Sequence, residues 1–474
     1  MKIDSNNPWL VGVIDGAIGA VLAGVVLYYM FEFGDRKRTD SVLLARIYDA
    51  EQLEEKGMCT DALRIDEELL KEVSSKKHPD FYGRIKFNEG SCFSESGQEN
   101  DKEEYLTKAI RAFEEALKIR TVEKYPVEYA QTQNNLGNTY GRLAGIRDKE
   151  EKLAKAIQAY KAALEISTIK KYPVDYAQAQ GNLGNAYVDF AEVRDREENL
   201  SKAIQAFEEA LKIETVEKYP VDYAQIQGNL GNAYVHLAEV HDKEENITKA
   251  IQAFEEVLKI ETVEKYPVDY AQAQNDLGNA YRILAGVRNK KGNLVKAIQT
   301  FKEALKIRTV EKYSFAHAQA QNNLGDAYSD LTGICDKEGN LSKAIQAYEE
   351  TLKTRTVDKY PVAYAEAALC NLGNAYSSLA RVRDKEGNLT KAIHAYEEAL
   401  KISISEKHPI FYGQIQYELG TVFDALAGVR DEKQNITRAI HAYEEALKIS
   451  AAEKYTLLHE WAMPNLLRDQ RKIK

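Results

Sequence analysis

The sequence predicts an all-α protein, an α-α superhelix of stacked helical hairpins preceded by a single transmembrane helix. Three observations carry this reading. A unit of 47 residues recurs along most of the chain. Within each unit, apolar residues return at three- and four-residue spacing, the pattern of a helix with one buried stripe. Residues 9–31 form a largely apolar run, long enough to cross a bilayer core of about 30 Å.

Hydrophobic residues make up 44% and charged residues 29% of the chain, a balance that supports an ordered, helix-rich core rather than disorder. The formal net charge of -10 repels phosphate backbones. No Lys/Arg stripe offsets it beyond Arg36, Lys37 and Arg38, which argues against nucleic acid as a partner. Cys59, Cys92, Cys335 and Cys370 lie far apart in sequence and form no C-x-x-C pair, so they read as reduced thiols rather than a zinc or disulfide framework.

The N-terminal run, Trp9 to Phe31, is 23 residues and would extend about 34 Å as a helix. Trp9 at one end and Tyr28, Tyr29 and Phe31 at the other stand where amphipathic rings favour the headgroup layer. It reads as an anchor, because a cleaved signal peptide would have a shorter apolar region and a small-residue cleavage site. Gly12, Gly16, Ala20 and Gly24 recur every four residues and would let a second membrane helix approach closely, a route to a homo-oligomer. Arg36, Lys37 and Arg38 follow the span whereas only Lys2 precedes it, which predicts a single-pass protein with its repeat domain in the cytoplasm. Asn-x-Ser/Thr triplets at Asn199, Asn246, Asn340, Asn388 and Asn435 are potential glycan acceptors and pull the other way. Their register just before the second helix of a repeat predicts helix capping instead.

The repeat is marked by Gly90, Gly137, Gly184, Gly231, Gly278, Gly325, Gly373 and Gly420, spaced by 47 residues with one step of 48. Except at Tyr313-Ser314, the units open on an aromatic-proline pair such as Tyr125-Pro126, where proline suits the first helical turn and the residue before it resists helix. A first helix follows, then a charged loop placed at Arg147 to Lys152, then a second helix from Leu153. Glycine in a helix costs about 1 kcal/mol relative to alanine, so its recurrence predicts a close packing contact, assigned here to the small residue Ala156 of the second helix. Tyr140 and Tyr160 would fill the space beside it.

The signatures Leu136-Gly137-x-x-Tyr140 and Ala156-x-x-x-Tyr160-x-x-Ala163 resemble the L-G-x-x-Y and A-x-x-x-F-x-x-A core of the tetratricopeptide repeat (TPR) family. The units are longer than the family's usual period of about 34 residues, with the excess expected in loops. In this the chain is similar to kinesin-light-chain-like and prokaryotic multi-repeat TPR proteins. The resemblance implies a domain order: residues 1–38 as anchor and basic flank, 39–76 as a compact first repeat with Gly57 in its turn and Ala62 at its contact, 77–454 as eight long repeats, and 455–474 as a capping helix. In that cap Leu467 replaces the glycine and Gln470 the tyrosine, and Arg468 to Lys472 would face solvent.

No phosphate loop, H-E-x-x-H or G-x-S-x-G motif stands in the sequence, and the repeats leave no stretch for a catalytic domain. The sequence therefore predicts no enzyme, no cofactor and no metal site. Members of the family bind extended peptides along the concave surface of their first helices, and the resemblance points to the polar residues there. These are Gln131, Asn135, Asn138, Gln178, Asn182, Asn185, Gln225, Asn229, Asn232, Gln272, Asn279, Asn323, Asn371 and Asn374. An amide both donates and accepts, so such a row could pair with a peptide backbone whatever its side chains. Family members that clamp a C-terminal carboxylate use Lys and Arg at positions held here by Asn134, Gly181 and Gly228, so that subtype is not expected. The function implied is a membrane-anchored scaffold for partner proteins or peptides. A self-associating structural protein and a regulatory subunit of a separate enzyme are the alternatives.

Overall fold

The computed structural model describes residues 35–97, 101–353, 362–402, 408–453 and 455–473. The expected membrane span, with Gly12, Gly16, Ala20 and Gly24, lies outside them. Among the described residues no helix is long and apolar enough to cross a membrane, and all regular structure is helical.

The chain divides into two compact units, residues 1–215 and 216–474. The first holds four hairpins: α1 (Asp35–Glu55) with α2 (Cys59–Glu72), α3 (Pro79–Glu95) with α4 (Lys102–Leu117), α5 (Pro126–Ala144) with α6 (Lys149–Leu164), and α7 (Pro173–Ala191) with α8 (Arg196–Ala210). The second unit holds α9 (Pro220–Leu237) with α10 (Lys243–Val257), α11 (Pro267–Ala285) with α12 (Lys290–Ile307), and α13 (Val310–Leu331) with α14 (Lys337–Lys353). It continues with α15 (Val362–Ala380) and α16 (Lys385–Ile402), then α17 (Pro409–Ala427) with α18 (Glu432–Glu453), and ends on α19 (Thr456–Ile473). An α-helical hairpin solenoid within each unit is as the sequence predicts.

The helix starts follow from the proline. Tyr125, Tyr172 and His78 take φ between -137° and -140° just before the proline at the first helical position. The following helix is thereby separated from the preceding linker. The charged segment between the two helices is shorter than expected. Lys149 already begins α6, so only residues 145–148 join α5 to α6. Much of the extra repeat length is helix: α5 runs 19 residues and α6 runs 16. The turn is closed by a residue in the left-handed region, Asp148 at φ 49° and Asp195 at 48° in the first unit, and Asp242, Asn289, Asp336, Asp384 and Asp431 in the second. Asp and Asn tolerate this conformation because a short polar side chain can bond locally.

Each repeat glycine packs against an aromatic ring, not against the alanine. A Cβ built on Gly137 would lie 2.6 Å from Cε1 of Tyr160, and on Gly184 2.5 Å from Cε1 of Phe207. Gly90 meets Phe113 in the same way, and in the second unit Gly231, Gly278, Gly325, Gly373 and Gly420 meet Phe254, Phe301, Tyr348, Tyr396 and Tyr443. Ala156 stands one turn before Tyr160 and is fully buried, but the long ring is what reaches the facing backbone. Filling that space with ring carbon rather than void is what dense packing requires.

The asparagines of the Asn-x-Ser/Thr triplets do not cap helix starts. Asn199 lies inside α8 and its Nδ2 donates to the carbonyl of Arg194 at 2.8 Å; Asn246, Asn340, Asn388 and Asn435 donate in the same way to His241, Cys335, Arg383 and Arg430. All five are buried. They tie the second helix back to a turn carbonyl that would otherwise lack a partner. On the turn side, arginines link successive hairpins: Arg147 pairs with Glu103 and Arg194 with Glu150 in the first unit, and Arg288 with Glu244, Arg383 with Glu338 and Arg430 with Glu386 in the second. Each such exposed pair adds at most about 1 kcal/mol.

Helix α19 closes the second unit. Leu458, Ala462 and Leu466 are buried and join a core cluster with Leu419 and Tyr443, while Leu467 is exposed. Asp469, expected at a solvent-facing end, is fully buried. Arg468 Nε and Lys472 Nζ hold its Oδ1 at 3.0 and 3.1 Å, which compensates the buried carboxylate.

Candidate peptide-binding groove

Residues spaced four, three and four apart along a helix share one face. In α5 that rule aligns Gln131, Asn135, Asn138 and Arg142, and in α7 it aligns Gln178, Asn182, Asn185 and Asp189. The first unit forms a cavity of about 620 Å³ against these rows. Asn135, Asn138, Asn182 and Asn185 line it, Glu54 of α1 and Ser94 and Glu95 of α3 extend it, and rings of Phe113 and Tyr160 contribute from second helices. A smaller cavity of about 170 Å³ takes in Gln131, Asn134, Asn135 and Gln178. All six residues singled out from the sequence in this unit therefore line one or other cavity.

The amides divide between internal bonds and open faces. Tyr160 donates its hydroxyl to Asn138 Oδ1 at 2.7 Å. Asn182 Nδ2 donates to Asn134 Oδ1 of the preceding hairpin at 3.1 Å. At Asn185 the partner ring of α8 is Phe207, which has no hydroxyl to give, and Asn185 is exposed.

The same row continues in α3 at Asn88, the equivalent of Asn135 one repeat earlier. It is 2% exposed and its Nδ2 has no partner. Sequence reasoning missed Asn88 and also Glu54, Ser94, Glu95, Arg142 and Asp189. The helical spacing that found Asn135 and Asn138 extends directly to Arg142 and Asp189.

Charge in the cavity is carried by Glu54, Glu95 and Asp189 against Arg142. The Arg142 guanidinium donates to the backbone carbonyl and the hydroxyl of Ser94, so it is committed to α3. Burial pushes the Glu54 carboxyl above the usual range, opposed by its hydrogen bond with Ser91 and reinforced by Glu95 and neighbouring carboxylates.

In the second unit the equivalent rows are more heavily bonded. Asn323 Nδ2 donates to Asn275 Oδ1 at 3.1 Å and Asn371 Nδ2 to Asp326 Oδ1 at 3.0 Å, each joining successive hairpins. Tyr396 donates to Asn374 Oδ1 at 2.6 Å. Gln272 donates to both oxygens of Asp276 at 2.9 Å and accepts from Arg308. Gln225 and Asn232 are exposed, and Asn229 and Asn279 are half-buried. Asp276 and Asp326 occupy row positions held elsewhere by asparagine, and burial raises both carboxyls. Among the described residues no group of His, Cys, Asp and Glu side chains could hold a metal ion.

Helical hairpins stacked on a 47-residue period, with amide-bearing faces turned to a shared cavity in the first unit, define a helical-repeat protein by architecture. The family model described as Tetratricopeptide repeat matches residues 130–168, 231–262 and 373–403, so three segments of the chain are similar to tetratricopeptide repeats. No curated relative matches the sequence. Among solved structures, the chain is similar to BtubC (BKLC) from P. vanneervenii at 23% identity, with 55% of this chain and 93% of that chain covered and a TM-score of 0.40. It is also similar to the apo form of RapI at 14% identity, with 87% and 98% covered and a TM-score of 0.49. The apo form of the quorum sensor NprR from B. thuringiensis shows 15% identity, with 85% and 99% covered and a TM-score of 0.46. At these values the similarities do not bear on what this chain binds.

Proposed function

We propose that the protein is a membrane-tethered scaffold that holds extended segments of partner proteins in the groove of its first unit. The observation that carries this reading is the cavity of about 620 Å³ walled by Asn135, Asn138, Asn182 and Asn185. It is open enough for a main chain and lined with groups that both donate and accept. Binding by amides to a peptide backbone gives register without strong side-chain demands, which suits a scaffold. Tethering rests on the apolar run at residues 9–31 and the basic Arg36, Lys37 and Arg38 beyond it. Asn199, Asn246, Asn340, Asn388 and Asn435 are buried and bonded inward, a structural use of these triplets that supports the cytoplasmic orientation.

The test is fluorescence anisotropy with degenerate nonapeptides and the full chain in nanodiscs, comparing the wild type with Asn135→Ala/Asn185→Ala. Neither of these two amides spans a hairpin junction, so the double variant should keep its helicity by circular dichroism and lose peptide affinity. Equal affinity in the folded variant would refute the groove as the working site. Protease protection in sealed vesicles tests orientation separately: digestion of the repeats from the side opposite the cytoplasm would overturn it.

A further inference from the structure

We propose that the groove of the first unit selects basic peptide segments, those carrying lysine or arginine, over neutral or acidic ones. The inference rests on the groove reading above and adds the chemistry of the occupant. Three hairpins contribute a carboxylate to one cavity: Glu54 from the first, Glu95 from the second and Asp189 from the fourth. Glu95 and Asp189 are exposed. The cation between them in the row, Arg142, spends its guanidinium on the Ser94 carbonyl and hydroxyl.

These charges are not a consequence of the repeat. The position held by Glu95, Arg142 and Asp189 is His236, Ile283 and Asp330 in the next three repeats, so the packing of the hairpin does not require an acid there. By contrast, the amides at Asn135 and Asn182 recur. Asn135 and Asn182 line the same cavity as these carboxylates, so amides and acids face one occupant. The division of labour is then chemical: amides pair with the main chain, and carboxylates take ammonium or guanidinium groups projecting from it. The net charge of -10 would steer such segments toward the protein over long range.

The experiment uses the full chain in nanodiscs of zwitterionic lipid, so that the bilayer itself attracts no peptide. Three fluorescein-labelled degenerate nonapeptide pools are compared by anisotropy, one with alternating Lys/Arg, one with Gln/Ser and one with Asp/Glu at the same positions. The basic pool should bind roughly tenfold tighter than the neutral pool at low salt, with the advantage shrinking as salt screens the charges. Glu95→Gln/Asp189→Asn should erase that advantage without changing neutral-pool affinity, and Glu244→Gln/Glu245→Gln, an equal loss of charge elsewhere, should keep it. Equal binding of the three pools, preference for the acidic pool, or a basic preference that survives Glu95→Gln/Asp189→Asn would overturn the charge selection while leaving the groove intact. No binding of any pool by the wild type would remove the groove reading and this inference together.

Discussion

Asp66 should make the first hairpin lose stability as pH rises. It stands where every later second helix carries an aromatic ring: Ala62-x-x-x-Asp66 aligns with Ala156-x-x-x-Tyr160. The side chain is fully buried and neither carboxyl oxygen has a hydrogen-bond partner. Burial first, then the nearby carboxylates Glu89, Glu51 and Glu54, push its pKa up from 3.8 to about 8, with Lys86 opposing. Because the folded pKa lies above the unfolded one, the folded state holds the extra proton between these values. Stability is greatest below about pH 4, falls as pH rises through neutrality, and levels off above about pH 8. At about 1.4 kcal/mol per pH unit, the whole span corresponds to on the order of 5 kcal/mol.

Repeat arrays unfold locally, so the measurement should be local as well. Hydrogen exchange of α1, α2 and α3, corrected for intrinsic rates, should show protection falling between pH 6 and pH 8. Asp66→Leu fills the site with an apolar group of similar size and should raise protection at pH 8 and flatten the profile. Glu54, also raised, contributes in the same direction, so the comparison with the variant isolates Asp66. A pH profile in Asp66→Leu as steep as in the wild type would refute the reasoning.

Three further outcomes test the repeat itself. Gly184→Ala should destabilise α7 and α8 by about 1–3 kcal/mol through overpacking, despite alanine's better helix propensity, and Phe207→Leu should relieve part of that cost; urea unfolding of the single and double variants would show the coupling. Asn246→Ala should leave the His241 carbonyl without its partner and cost about 1–3 kcal/mol, read as faster amide exchange at the start of α10. Asp195→Gly should be tolerated or mildly stabilising, whereas Asp195→Val should cost about 1–2 kcal/mol, because only the latter strains a residue held at φ 48°; thermal unfolding of the two variants would separate them.

The period, the hairpin and the helix starts were legible in residues 77–453 because each depends on chemistry local to a few residues: the 3.6-residue apolar spacing, the proline at the first turn, the glycine that only a close contact explains. Even so, proline marks a boundary that packing enforces. At Tyr313-Ser314 the proline is missing, yet Tyr313 keeps φ -138° and ψ 52°, nearly the angles of Tyr219 and Tyr266 ahead of their prolines. The candidate groove was half legible. The amide row follows from helical spacing, but which amides stay open does not: Asn138 is taken by Tyr160 and Asn182 by Asn134, and those partners lie 22 and 48 residues away.

What the sequence by itself determined is the set of elements and their faces, since periodicity and turn chemistry act within a few residues. The tertiary structure alone decided which groups meet. It placed aromatic rings rather than alanine against the repeat glycines, turned the Asn-x-Ser/Thr asparagines inward as clamps, buried Asp66 and Asp469, and brought Cys59 and Cys92 into one cluster. These depend on the reach of side chains across hairpins, and distance through space between hairpins is not written in spacing along the chain.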